Sequence, residues 1–344
     1  MADAFHMCKP GTERFCAREL ELEGLDVAQS GDGWVRSAAQ PVDDPASPFG
    51  PAGLCFPTVS ILDAVDIEAA SANAQAAALC ELFWNAHRGE RIEDAWWLHV
   101  GSAAERTLAK RARVVESEVR TRLHKQVARV ARLASDRIPA NPSVQRGLTA
   151  HFLDFERIVA GTRFCHWGQR RMRDDRDAPS RSYLKVEEAY AVLGTSPGSG
   201  ETVADLGAAP GGWSFSAARR GALVTAVDNG PLKGGAADHA LIEHIREDAF
   251  GFRPPAGRTF DWLFCDLIED PERVFQEILL AWAANRWCRR FVVNLKVGKA
   301  DPVQTARRVR ADAPDGLLRH CDTLRVRHLY HDREEITCVG IVRT

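Results

Sequence analysis

The chain has 344 residues, 45% of them hydrophobic, and a formal net charge of −2, a length that predicts two or three units with cores of their own. No run approaches the ~18 apolar residues of a membrane helix and the first residues hold no signal-peptide core, so a cytoplasmic protein is expected. The near-neutral charge excludes a globally basic nucleic-acid binder; any grip on nucleic-acid phosphates must come from local patches.

Residues 11–21 read as a helix capped by Thr12 or Gly11. Residues 39–51 carry Pro41, Pro45, Pro48 and Pro51, which exclude regular structure and predict a loop between strands of a small α/β domain, residues 1–63. A second α/β unit is assigned residues 64–163. Within it, residues 103–137 predict one basic helix. Leu108, Val115, Val119, Leu123, Val127, Val130 and Leu133 recur at helical spacing as a packed face. Arg106, Lys110, Arg111, Arg113, Arg120, Arg122, Lys125, Arg129, Arg132 and Arg137 outnumber Glu105, Glu116, Glu118 and Asp136 around it. That surface is either merely solvated or a contact for phosphates. Residues 164–176 form a linker in which Phe164, His166 and Trp167 stand among Arg163, Arg170, Arg171 and Arg173. The pattern suits RNA phosphates with splayed bases, or equally a strap whose rings pack on its neighbours.

Residues 177–344 alternate strands with helices. A strand at residues 201–204 enters the glycine-rich turn Asp205-Leu206-Gly207-Ala208-Ala209-Pro210-Gly211-Gly212-Trp213, and a helix resumes over residues 214–220. Glycines at such a turn let a ligand approach the backbone closely, although the dinucleotide pattern G-x-G-x-x-G is absent. Further strands at residues 222–227, 241–247, 259–265 and 290–295 end in Asp228, Asp248, Asp266 and Lys296. Asp228 stands about 20 residues beyond Gly207, where an acid suits a ribose diol. A helix over residues 271–287 buries Val274, Ile278, Leu279, Trp282 and Ala283 on one face. This alternation predicts an α/β domain with a mainly parallel sheet and helices on both faces, its polar residues gathered at the carboxyl ends of the strands.

The glycine turn, together with Val227-Asp228-Asn229-Gly230, Cys265-Asp266-Leu267 and Asn294-Leu295-Lys296, resembles the FtsJ-type S-adenosylmethionine-dependent RNA 2′-O-methyltransferases. Residues 177–189 and 329–337 sharpen the resemblance to a THUMP-containing branch that methylates a cytidine 2′-hydroxyl in 23S rRNA. It is strong from Asp177 onward and looser before it, where position alone assigns a THUMP-like RNA-binding domain to residues 64–163. The resemblance implies a C-terminal Rossmann-like methyltransferase domain and a Lys-Asp-Lys-Glu tetrad at Lys185, Asp266, Lys296 and Glu335. Glu335 is chosen over Glu334 because it directly precedes the apolar run Ile336-Thr337-Cys338-Val339. S-adenosyl-L-methionine would be held by Ser182, Gly207, Ala209, Pro210, Gly211, Gly212, Trp213, Asp228, Asp248 and Asp266. Ala209 stands where relatives often carry Cys, a change in loop packing.

A sugar hydroxyl is almost fully protonated at neutral pH, so the nucleophile is the difficult side of such a transfer. The resemblance makes Lys296 the general base, with Lys185 supplying a like charge against its protonation and the two acids orienting both amines. An ordinary lysine, near ~10.4, is seldom neutral, and burial or a nearby cation would lower it. Nine cysteines without Cys-x-x-Cys spacing and eleven scattered histidines predict buried reduced thiols and no metal. 23S rRNA is the expected partner, with DNA and membranes excluded and a monomer expected. Methylation of tRNA or an mRNA cap, and a non-catalytic assembly factor, are the alternatives.

Overall fold

The computed structural model describes residues 3–38, 53–102, 106–138 and 144–344. Contacts divide the chain into two units, one formed by Met1–Gly50 and Phe56–Trp167, the other by Pro51–Cys55 and Gly168–Thr344. None of the described helices is long and apolar enough to cross a membrane.

In the first unit the elements run β1 (Asp3–Cys8), α1 (Glu13–Leu22), β2 (Val27–Gly31), β3 (Trp34–Ala38), β4 (Pro57–Glu68), α2 (Ala72–Ala86) and β5 (Trp96–Ser102). They continue as α3 (Arg106–Gln126), α4 (Ala128–Leu133), β6 (Ala134–Ser135), β7 (Val144–Phe152) and β8 (Arg157–His166). The strands form one sheet in the order β2-β3-β1-β4-β8-β7-β5-β6. An early helix beginning after Thr12 is present as predicted. The expected boundary after residue 63 falls inside β4. This strand pairs with β1 through its first half and with β8 over most of its length, so residues on both sides of the boundary share a sheet. The proline-rich segment at residues 39–51 lies outside the described residues.

The predicted basic helix is broken. Leu108, Val115, Val119 and Leu123 on α3 are buried against Ala76, Leu79 and Phe83 of α2, as the periodicity requires. At Val127 the backbone turns to φ −145°, and its side chain is exposed. The turn drops α4 under the sheet, where the Trp96 indole donates to the Val130 carbonyl at 2.9 Å. Residues 103–105 lie outside the described part. The linker reading is corrected as well. Arg163 to His166 belong to β8, and Phe164 packs on Trp97 with ring centroids 4.4 Å apart. Trp167 is buried and donates to Ser60 Oγ. Rings this deep in a core have no free face for a base.

In the second unit come α5 (Tyr183–Leu193), β9 (Thr202–Leu206), α6 (Gly212–Ala218), β10 (Leu223–Val227), β11 (Ile242–Ile245), β12 (Phe260–Cys265) and a helical run from Pro271 to Ala284. β13 (Cys288–Lys296), α7 (Pro302–Arg310), β14 (Cys321–Arg327) and β15 (Glu335–Val342) complete it. The sheet order is β11-β10-β9-β12-β13-β15-β14, parallel from β11 to β13 and antiparallel at β15 and β14. Val203, Ala226, Trp262 and Phe264 pack against α5 and α6. The run Pro271–Ala284 opens on Asp270, whose carboxylate accepts from the Glu272 and Arg273 amides, and buries the five apolar residues expected of it. It contains a π-helical stretch, Val274–Leu280, and stops short of residue 287 because Arg286 turns to φ 54°. β10 and β12 flank β9 while the chain winds outward in opposite directions from them. In such sheets the crevice at that reversal is where ligands bind. All nine cysteines are buried.

Candidate active site

Four polar side chains meet at the carboxyl edge of the parallel strands. Lys185 lies in the first turn of α5, Asp266 follows β12, Lys296 closes β13 and Glu335 opens β15. The antiparallel register pairs Lys296 directly with Glu335. Lys296 Nζ is 2.5 Å from Asp266 Oδ1 and 4.0 Å from Glu335 Oε2. Lys185 Nζ is ion-paired to Glu335 Oε1 and lies 3.9 Å from Asp266 Oδ2. The result is a ring of alternating charge, neutral overall.

Burial disfavours the charge on Lys185, but Asp266 and Glu335 outweigh it and raise its pKa above the ordinary lysine value. Burial likewise works against the Glu335 carboxylate, yet Lys185 and Lys296 hold its pKa below the usual range. Lys185 is therefore kept cationic. That is the charge its expected role calls for. Glu334 is turned elsewhere: its carbonyl accepts from the Val297 amide, and its carboxylate lies over Gly298, where an added Cβ would stand 2.7 Å from Oε2. Glu335, the first residue of β15, reaches the ring, and Glu334, in the bend before the strand, does not.

The glycine turn lies between β9 and α6. Gly207 and Gly211 adopt φ of 78° and 104°, which side-chain-bearing residues rarely adopt. A Cβ at Gly212 would stand 2.7 Å from Ser180 Oγ and 2.9 Å from Ser182 Oγ, so the turn and the start of α5 close on each other. The peptide Ala209–Pro210 is cis. Asp228 accepts from the Ala209 amide at 3.0 Å and from the Gly230 amide at 2.6 Å, so it shapes the turn and its own exit from β10. Asp248 is exposed and accepts from the Phe250 amide. Trp213 departs from expectation: its ring is buried among Phe264 and the core, with the indole donating to the Ser182 carbonyl. It braces the turn from behind. The remaining residues, with carboxylates at Asp228 and Asp266, fit a cationic nucleoside ligand. Among the described residues, no three His, Cys, Asp or Glu side chains gather as they would around a metal.

Residues 178–286 match the FtsJ-like methyltransferase family model. Ribosomal RNA large subunit methyltransferase M from Laribacter hongkongensis is 33% identical over 352 residues, an alignment covering 96% of this chain and 94% of that protein. The chain belongs to the methyltransferase M family. Relatives of the same name from Halorhodospira halophila and Azotobacter vinelandii are 44% and 42% identical over 171 and 178 residues, about half of each chain.

Several side chains that organise this methyltransferase site were not singled out from sequence. Glu188 on α5 is fully buried and accepts from the backbone amides of Arg170, Tyr330 and His331 at 2.8, 2.9 and 3.1 Å. It ties the approach to Glu335 onto the helix that carries Lys185. Asn294, a polar residue inside the apolar run of β13, donates to Asp266 Oδ1 at 3.1 Å; its signal was the break in that run. Asp205, at the end of β9, accepts from Ser214 Oγ at 2.6 Å and is 1% exposed.

Burial lifts the Asp205 carboxyl to about 7 despite the Ser214 bond, with Asp266 adding to the rise. The folded chain therefore holds a proton that the unfolded chain gives up near 3.8. Between those values stability falls as pH rises, and it levels off above about 7. Asp205→Asn removes this slope. The variant should gain on the wild type from pH 4 to 7, by on the order of 4 kcal/mol at about 1.4 kcal/mol per pKa unit. Urea unfolding across that range measures it; parallel curves for the two proteins would refute the assignment.

Proposed function

We propose that this chain transfers a methyl group from S-adenosyl-L-methionine to the ribose 2′-oxygen of a cytidine in 23S rRNA. The observation that carries the reading is the ring of Lys185, Glu335, Lys296 and Asp266 at the strand ends, in the same crevice as the glycine turn. The methyl donor supplies a carbon on a cationic sulfur that departs as a neutral thioether, so no acid is needed on that side. Once its own proton has passed to solvent, Lys296 takes the 2′-hydroxyl proton at Nζ. Asp266 aims that amine, and Glu335 fixes Lys185 beside it as a like-charged neighbour. Ser182, the segment 207–212, Asp228 and Asp248 hold the donor.

The first unit holds the RNA. Lys110, Arg113, Lys125, Arg129 and Arg132 are exposed on α3 and α4, whereas Arg120 and Arg122 are partly neutralised by Glu116 and Glu118 one turn away. A cationic face on a chain of net charge −2 supports phosphate contact.

The test is transfer of labelled methyl to unmodified 23S rRNA, followed by digestion to nucleosides. Label is expected in 2′-O-methylcytidine, and a DNA copy, lacking the hydroxyl, should accept none. Label on a base, transfer to tRNA in preference to rRNA, or RNA binding with no transfer at all would overturn the reading.

A further inference from the structure

Behind the ring of charge, three buried side chains form a line of hydrogen bonds. Asn294 and Thr337 are cross-strand partners on β13 and β15. Asn294 Nδ2 donates to Asp266 Oδ1 at 3.1 Å, and Asn294 Oδ1 lies 2.7 Å from Thr337 Oγ1. Thr337 Oγ1 in turn lies 3.1 and 2.9 Å from the two carboxyl oxygens of Asp332. Asp332 Oδ2 also accepts from the Leu329 amide at 2.8 Å. Asn294 and Asp332 are fully buried and Thr337 is 1% exposed.

Counting protons along the line fixes its direction. Asp266 sits between two lysines, so it is an anion and can only accept. Asn294 must then present its NH2 to Asp266 and its carbonyl to Thr337. A hydroxyl has one proton, and Thr337 gives it to Asn294. With that proton directed along the shorter contact, 2.7 Å to Asn294, the contact between Thr337 and Asp332 is a full two-centre hydrogen bond when Asp332 is the donor. We infer that Asp332 is a neutral carboxylic acid which, through Thr337 and Asn294, acts as the positioning residue that aims Asp266 at the two lysines. Burial and the nearby Glu335 carboxylate push Asp332 well above the usual carboxylate range, against the pull of the Leu329 amide and Lys185. The opposite direction would put a proton on Asp266 while two ammonium groups face it, which is the costlier arrangement.

The positioning role rests on the proposed methyl transfer; the place of the proton does not. Three variants of the full chain separate them. Thr337→Val and Asp332→Ala should lower kcat by ~10- to 100-fold, the usual loss when a group that orients a reacting ligand is removed. KM for RNA and Kd for S-adenosylhomocysteine should stay near wild type. Asp332→Asn, whose amide can donate to Thr337 and accept from Leu329, should recover most of that kcat. The infrared C=O stretch of a protonated carboxyl, recorded at pH 8, should be present in the wild type and missing from Asp332→Asn. Thr337→Val and Asp332→Asn change little volume, so the test stands even if Asp332→Ala does not fold. Asp332→Asn as slow as Asp332→Ala, Thr337→Val at full speed, or an unchanged infrared band would each overturn the inference. Should the wild type transfer methyl to no RNA, the proposed reaction fails and the infrared band still decides the proton.

Discussion

Lys296→Ala is expected to abolish practical turnover while leaving affinity for S-adenosyl-L-methionine nearly unchanged. General base catalysis typically supplies ~10²- to 10⁴-fold, and this variant should lose at least that much in single-turnover transfer. Binding should survive for a structural reason. Without the Lys296 amine, Asp266 keeps the Asn294 hydrogen bond and its approach to Lys185, and Glu335 keeps its ion pair with Lys185. The ring opens but does not scatter. Its net charge becomes −1, which does not repel a sulfonium. Calorimetry on the variant provides the check. Loss of cofactor binding would mean that Lys296 builds the pocket rather than takes the proton.

Strands β9, β10, β12 and β13 of the second unit were legible because each announces itself twice, by an apolar run and by the polar residue at its end. Asp228, Asp266 and Lys296 all lie where that rule puts them, at one edge of a parallel sheet. Convergence of Lys185 with Glu335, from either end of the domain, came from motif resemblance alone. Local pattern says nothing about contacts so far apart. α5 went unmarked because Leu184, Val186, Ala189, Tyr190, Val192 and Leu193 are buried around most of its circumference, which leaves no single stripe to read.

The first unit was harder for a related reason. The proline-rich loop suggests a division in its sequence, whereas β4 and β8 pair across about a hundred residues and β4 joins both halves in one sheet. The break at Val127 is invisible in a stripe that keeps its spacing through Leu123, Val127 and Val130. The rings of Phe164 and Trp167 look the same in sequence whether they await a base or fill a core. Only the fold separates the two: nearly every residue of β8 is buried, Phe164 among them, and Trp167 follows it into the core.

Gly211→Ala should damage cofactor binding more than Gly212→Ala, although the two glycines are neighbours in the turn. At φ 104°, Gly211 holds a conformation that costs an L-residue roughly 1–2 kcal/mol. The added Cβ would stand 2.5 Å from the Ala236 Cβ, and a methyl group has no rotamer through which to escape. The backbone must move, and forced overpacking costs about 1–3 kcal/mol more. At Gly212 the same atom meets Ser180 Oγ and Ser182 Oγ, the ends of short side chains that can rotate away. Since 1.4 kcal/mol is a factor of ten, Gly211→Ala should weaken S-adenosylhomocysteine by at least about 10-fold and lower Tm, and Gly212→Ala by much less. Titration of both variants by calorimetry, with thermal melts alongside, makes the comparison. Wild-type affinity in Gly211→Ala would show that this turn does not hold the ligand, because its backbone cannot accept that methyl group without shifting.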